Sequence, residues 1–421
     1  MRQYVARLVV AIAALLPFSL AAQEGGAVPD SCVGETSPAA SPLPSREATV
    51  DSSFVVSLLT CSPGEEVYEL YGHTALRVRR ECNRFDVVFN YGAFDFATPN
   101  FVWRFMMGQT DYLLLPQYVE EFLMEYTFRG SSVVEQELNL TPAEAERIAL
   151  ALIEESRPEN HAYRYNIFRN NCTTRARDRI EAGIDGRVVY PVRPRRNTFR
   201  TILHQYTDGH PWAREGNDLL LGAEVDTLLC ERDEMFAPIY MMNYADSAMI
   251  DFGRGRFRPL VRARRELLAA DPQRRQAAAD AQPSVPFSPA ACGWGMLALG
   301  LCLAAFELRR RRIVWPVDAV LLTLQGVAGL LLVVMALWSE HPAVGSNWQV
   351  WVFNPLPLVA LPFVVRADVR RQPCAYHPFA AVYLTAFLAL YALLPQDFST
   401  LTLPLALLLL CRAVVHWRVY R

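Results

Sequence analysis

Five apolar runs fill the last third of the chain. Each comes near the roughly 20 residues that a bilayer's hydrocarbon core demands of a helix. They cover residues 290–308, 317–338, 348–365, 378–394 and 400–416. In lipid, every backbone amide must be satisfied within its own segment, so these runs fold as an all-α bundle over 286–421. The arginines set its orientation. They cluster at 309–312, at Arg366, Arg370 and Arg371, and at Arg412, Arg418 and Arg421, which are alternate ends of the runs. The intervening loops 339–347 and 395–399 carry none. Positive ends face the cytoplasm, so everything before residue 286 lies on the other side. Asp318 reads as the one intramembrane charge, close to a cytoplasmic end, with Glu307 and Arg412 falling at the ends of their runs. A bundle without intramembrane charge pairs is a poor transporter.

The N-terminus agrees with that orientation. Arg2 and Arg7 flank the start of an apolar stretch at 8–20, and small residues at Ala21 and Ala22 offer a cleavage site. This pattern predicts a signal peptide over 1–22, although an uncleaved anchor would export the domain equally well. Residues 23–50, rich in Ser, Pro, Ala and Gly, read as a flexible linker. A net charge of −2 argues against a nucleic-acid partner, which calls for a basic field.

The exported domain then spans 51–260. Strands are expected at 54–60, 74–78 and 85–91, the last two joined by a turn around Cys82. Thr141-Pro142-Ala143-Glu144 carries the marks of a helix start, with a Thr cap, Pro at the first position and Glu three after the cap. That helix should reach Glu155. Another should begin at Asn171 or Cys172 and end near Gly183. The Arg- and Ala-rich stretch 260–281 reads as a polar helix within a juxtamembrane segment, 261–285.

Chemistry has few places to reside. The exported part holds five cysteines, Cys32, Cys61, Cys82, Cys172 and Cys230. Five is odd, so at least one thiol can stay free in an oxidising compartment while the others pair in ways the sequence leaves open. Cys172 follows Asn170-Asn171 at a helix start, where the macrodipole stabilises a thiolate, and Arg169 and Arg175 would push the same way. A small buried structural cysteine is the competing reading. A nucleophilic thiol needs a base. His73 stands at the head of a strand behind Gly72, whereas His161 and His210 fall in loop or turn contexts, and a purely structural histidine is the alternative. No Cys-x-x-Cys, His-Glu-x-x-His, glycine-rich phosphate loop or Gly-x-Ser-x-Gly elbow occurs, so no metal or cofactor is expected.

Tyr71-Gly72-His73-Thr74-Ala75-Leu76-Arg77-Val78, followed about a hundred residues later by Asn170-Asn171-Cys172-Thr173-Thr174, resembles the circularly permuted papain-like proteins. In that group the histidine precedes the cysteine. More closely, the chain resembles the Lnb-type bacterial lipoprotein N-acyltransferases, through 58–64, 71–78, 90–96, 99–101, 171–174 and 219–222, and in the bundle through His341-Pro342 and Asn354-Pro355-Leu356. The resemblance runs from about Phe54 to the C-terminus. It implies an α+β, circularly permuted papain-like periplasmic domain on an inner-membrane bundle of about five helices. It also implies acyl transfer from a phospholipid donor, through a thioester on Cys172, to the N-terminal amine of a diacylated lipoprotein. Cys172 and His73 would form the dyad. Hairpin pairing about Cys82 puts Asn90 or Tyr91 opposite His73, with Asn90 as its orienting partner. Tyr71, Asn171, His341 and Asn354 are candidate substrate contacts. Two other readings share much of this sequence: a membrane-tethered cell-wall peptidase or amidase, and a non-catalytic envelope assembly protein.

Overall fold

A computed structural model describes residues 53–80, 82, 84–94, 99–281 and 285–421. The expected signal peptide and linker lie outside them. The chain forms an α+β domain followed by a helix bundle.

The first part of the domain runs β1 (Val55–Cys61), β2 (His73–Arg80), β3 (Phe85–Ala93), α1 (Phe101–Met106), β4 (Asp111–Tyr118), α2 (Val119–Arg129), β5 (Val133–Leu138), α3 (Pro142–Glu155), β6 (Ala162–Arg164) and α4 (Cys172–Gly183). The remainder adds β7 (Arg187–Val189), α5 (Phe199–Tyr206), α6 (Pro211–Leu220), α7 (Glu231–Glu234), α8 (Pro238–Ala245), β8 (Met249–Asp251), β9 (Phe257–Pro259), β10 (Val261–Leu268) and α9 (Pro272–Ala281). The bundle is α10 (Pro289–Arg310), α11 (Trp315–Trp338), α12 (Leu356–Val369), α13 (Tyr376–Leu390) and α14 (Thr402–Val419).

Seven antiparallel strands make the main sheet, in the order β10-β5-β1-β2-β3-β4-β6. Its centre is covered on both faces, which is why β1 is buried almost continuously instead of alternating. Val56 and Leu58 pack with Ile148 of α3, Ile180 of α4 and Met241 of α8. Leu59 and Cys61 face the other way, onto Phe122 and Tyr126 of α2. Both expected helix starts are realised. Thr141 closes a reciprocal capping box with Glu144, and α4 begins at Cys172 behind an Asn171 cap.

Two expectations are corrected. Residues 261–268 are an edge strand on β5, not a juxtamembrane helix; only 272–281 is helical. The arginines that suggested a solvated helix face instead pair with acidic groups of the neighbouring strand and of the helix packed on it. Arg265 bonds the buried Glu135 at 2.5 Å, and Arg264 bonds Asp246 at 2.5 Å. The bundle, moreover, does contain buried charge pairs. Arg412 donates from Nε and Nη2 to Asp318, both at 2.7 Å, and from Nη2 to Glu307 at 3.0 Å. Helix packing gathers these groups from three spans, which reading each span alone does not reveal.

Among the described residues, four helical stretches are long and apolar enough to cross a membrane: Pro289–Arg310, Trp315–Trp338, Trp348–Val369 and Thr402–Val419. The fifth, Tyr376–Leu390, is shorter. The domain is docked on the connections at one end of this bundle. The Glu215 carboxylate of α6 accepts the amides of Thr400 at 3.0 Å and Leu401 at 3.1 Å, so it caps the N-terminus of α14. Gln349 Nε2 donates to the Asp218 carbonyl at 2.7 Å, and the Gly222 amide donates to Ala343 at 2.7 Å. The arginine-poor loops therefore lie on the domain's side and the arginine-rich ends lie opposite, as the charge pattern requires.

Candidate active site

Cys172 occupies the first position of α4, and the capping residue before it is fully engaged. Asn171 Oδ1 accepts the Thr173 and Thr174 amides, each at 2.9 Å. Its Nδ2 donates to the carbonyls of Ile167 at 2.7 Å and Phe236 at 2.9 Å. The cap takes the second and third helical amides and leaves that of Cys172 itself uncommitted by it.

His73 reaches Cys172 from the sheet. Gly72, with φ +70°, lets the chain turn into β2; a Cβ there would lie 2.7 Å from the Cys61 carbonyl oxygen. The next strand residues stitch helix to sheet: the Thr74 and Thr173 hydroxyls bond at 3.0 Å within the core. His73 Nε2 lies 2.6 Å from Asn90 Oδ1. That contact leaves Nδ1 for the hydrogen bond to the Cys172 thiol. Asn90 Nδ2 in turn donates to Gln117 Oε1 at 3.1 Å. The strand register differs slightly from the expected one. Leu76 pairs with Phe89, which brings Gly92 opposite His73 and puts Asn90 two residues away on the same face. Tyr91, the other residue expected there, is in the core. Gly92 has φ +120°, and a Cβ would sit 3.3 Å from His73 Cε1, so the glycine leaves room for the imidazole.

The two groups shift each other in opposite directions. Burial pushes the Cys172 thiol up, but the His73 charge and hydrogen bond, the Thr74 amide and the Thr173 hydroxyl outweigh it and bring the net shift below the ordinary thiol value. Burial pulls His73 down; the Cys172 charge, its hydrogen bond and that of Asn90 raise it above the ordinary histidine value. Arg175 and Arg169 do not act as expected. They are held by Glu155 and Asp233, each at 2.5 Å, and the imidazole is what lowers the thiol. By contrast, Cys61 is driven up by burial and is inert, and Cys230 is disulfide-bonded.

Cys172, His73, Asn90, Tyr71 and Asn171 all line one cavity of about 450 Å³. His341 and Asn354 do not. His341 Nε2 is 2.8 Å from the Phe105 carbonyl, and buried Asn354 holds the Leu356 amide at 3.2 Å. Both secure the bundle and its junction with the domain. Sequence reasoning passed over Gln117, Thr74 and the cavity aromatics other than Tyr71. A lone polar residue in the apolar stretch Leu113-Leu114-Leu115-Pro116-Gln117 was the available signal for the first.

An aromatic series leads out of the cavity. Tyr165 stacks on Tyr112 at 4.1 Å, Tyr112 on Phe94 at 5.0 Å, and Phe94 on Phe101 at 5.5 Å. Phe105 follows at 6.3 Å from Phe101, and then His341 at 6.1 Å from Phe105, beyond the end of α11. Beside this series Val102 and Trp103 of α1 are exposed.

Replacing Asn90 with alanine should leave the thiol in place but free the imidazole to rotate. Partners that orient metal-bound histidines are worth about 10- to 100-fold where they have been removed, and the same orienting role is asked of Asn90 here. A loss of that order in turnover, with little change in apparent substrate affinity, is the expected result. Unchanged turnover would remove Asn90 from the machinery.

A thiol–imidazole–amide constellation beside a membrane bundle defines a class: a membrane protein whose exported α+β domain presents a half-buried cysteine, paired with a histidine, to a cavity. Comparison with known families narrows this. The Lnb N-terminal periplasmic domain matches residues 44–205, and the Lnb transmembrane domain matches residues 280–421. The chain belongs to the Lnb family, with its N-terminal domain in the periplasm and its C-terminal domain in the membrane. No curated protein and no solved structure gives a match.

Proposed function

We propose that the protein is a lipoprotein N-acyltransferase that uses Cys172 as nucleophile. The observation that carries this reading is the aromatic series from the Cys172 cavity to the membrane end of α11, a path suited to an acyl chain and superfluous for a soluble peptide.

The Cys172 thiolate attacks the ester carbonyl of a phospholipid. Collapse of the tetrahedral intermediate breaks the ester C–O bond, and the His73 imidazolium protonates the departing lysophospholipid oxygen. The Cys172 amide, at the positive end of α4, is placed to meet the oxyanion. The acyl chain is then a thioester. The neutral α-amine of a diacylglyceryl-cysteine attacks it, the imidazole takes the amine proton, and the amide product leaves the thiolate restored. Both substrates are bilayer-anchored, so a domain docked on membrane helices meets them at high effective concentration.

Incubation with phospholipid and no lipoprotein tests the first half-reaction. Intact mass should rise by one acyl chain on Cys172, in a linkage cleaved by hydroxylamine. A cell-wall peptidase built on the same residues would show no lipid-derived adduct. Absence of the adduct under conditions where acyl transfer proceeds would rule out the covalent route.

A further inference from the structure

We propose that the cytoplasmic ends of α12, α13 and α14 form a site for one divalent transition-metal cation, held by Asp368, His377 and His416. Each ligand comes from a different helix, and the three donor atoms lie within 4.8 Å of one another. All three side chains are buried, at 4%, 5% and 2% exposure. Yet both Asp368 carboxylate oxygens, His377 Nε2 and His416 Nδ1 lack a hydrogen-bond partner among the described residues. Orphaned polar atoms converging in the apolar part of a bundle call for an occupant.

The spacing of the cluster suits a cation. His416 Nδ1 and Asp368 Oδ1 are 3.1 Å apart. Two atoms bound to one tetrahedral ion at 2.0–2.1 Å stand roughly 3.3 Å apart, each lone pair aimed at the ion and not at the other atom. On its far side, His416 Nε2 lies 2.9 Å from Asp318 Oδ2. A proton held there leaves Nδ1 with a free lone pair, the carboxylate–histidine arrangement found behind metal ligands. The His377 ring stacks on that of His416 at 3.8 Å, and beside His377 lies a cavity of about 20 Å³, room for a single water.

Charge points the same way. Three buried carboxylates, Glu307, Asp318 and Asp368, are gathered in this part of the bundle, and one guanidinium, Arg412, pairs with the first two. The excess of buried negative charge favours a positive occupant. Two imidazoles with one carboxylate suit zinc and its neighbours, whereas magnesium and calcium prefer all-oxygen shells. Bound there, the ion would tie together three helix ends that no motif in the sequence links.

The test uses the full chain in detergent, purified without a polyhistidine tag, stripped with chelator and dialysed against zinc chloride. Elemental mass spectrometry should find about one zinc per chain, since a closed set of protein ligands holds a single ion. Zinc should also raise the thermal midpoint. Asp368→Asn and His377→Gln, each close in shape to the original, should lower bound zinc at least tenfold while Cys172 keeps its reactivity toward a thiol reagent. Cobalt(II) added to stripped wild type should give the visible absorption of a four-coordinate site, a readout independent of any variant. Zinc retained by both variants would overturn the proposal. So would folded wild type that binds neither ion above background, in which case the cluster holds a proton on His416 between two carboxylates.

Discussion

Cys172→Ser should abolish acyl transfer, by at least about a thousandfold, while the purified protein keeps its chromatographic profile and melting behaviour. The hydroxyl that replaces the thiol cannot be ionised by an imidazole near neutral pH, whereas the hydrogen bonds that place the helix start belong to Asn171, Thr74 and Thr173 and survive. His73→Ala should be nearly as damaging, for a different reason that pH exposes. In the wild type the thiol is lowered and the imidazole raised, each toward its charged form. Alkylation of Cys172 by iodoacetamide should therefore persist below the ordinary thiol range and fall only as pH drops through the lowered thiol value. Without His73, burial remains and its counterweight is gone. Alkylation at neutral pH should slow and recover only at higher pH. If the two proteins show the same alkylation profile, the ion pair is absent and another group activates the thiol.

Arg412→Met should be the most destabilising single change in the bundle. It deprives Glu307 and Asp318 of the guanidinium they share, and removing one partner from a buried ion cluster costs about 3–5 kcal/mol. The expected signs are poor recovery from membranes and a much lowered thermal midpoint. Adding Glu307→Gln and Asp318→Asn should recover most of the loss, because the neutral triad no longer buries unpaired charge. The amide still offers an oxygen to the Val314 backbone N–H, which now donates to Glu307 at 2.6 Å. A single variant as stable as wild type would mean that water reaches the cluster.

Local signals were legible in the sequence and long-range ones were not. The Thr141 capping box, the Asn171–Cys172 helix start and the strand-head His73 are each written within a few consecutive residues, and all three are realised. The apolar runs disclosed the bundle for the same reason. The Asn90–His73 contact was within reach because a hairpin has only a small choice of registers, although Gly92, not Asn90, stands opposite the histidine. Strand β10 was misread because its arginines acquire meaning only through Glu135 and Asp246, more than a hundred and about twenty residues away in the chain. The Glu307–Asp318–Arg412 cluster was hidden in the same manner, as each member sits near the end of a different span. Gln117 belongs with these: its bond to Asn90 exists only once β3 and β4 pair.

The Glu215 clamp on the head of α14 has a mechanical meaning. A side chain of the catalytic domain serves as the cap of a helix in the bundle, so the domain cannot rise or tilt without uncapping that helix. Cys172 is thereby held at a set altitude above the lipid. A reactive centre at fixed altitude works as a gauge. Under the proposed reaction it would serve molecules whose reacting atoms ride at that level because their own fatty chains float them there. A secreted protein with a chemically identical amine but no lipid would drift past out of reach, so selectivity would arise from elevation before any contact with the substrate is made.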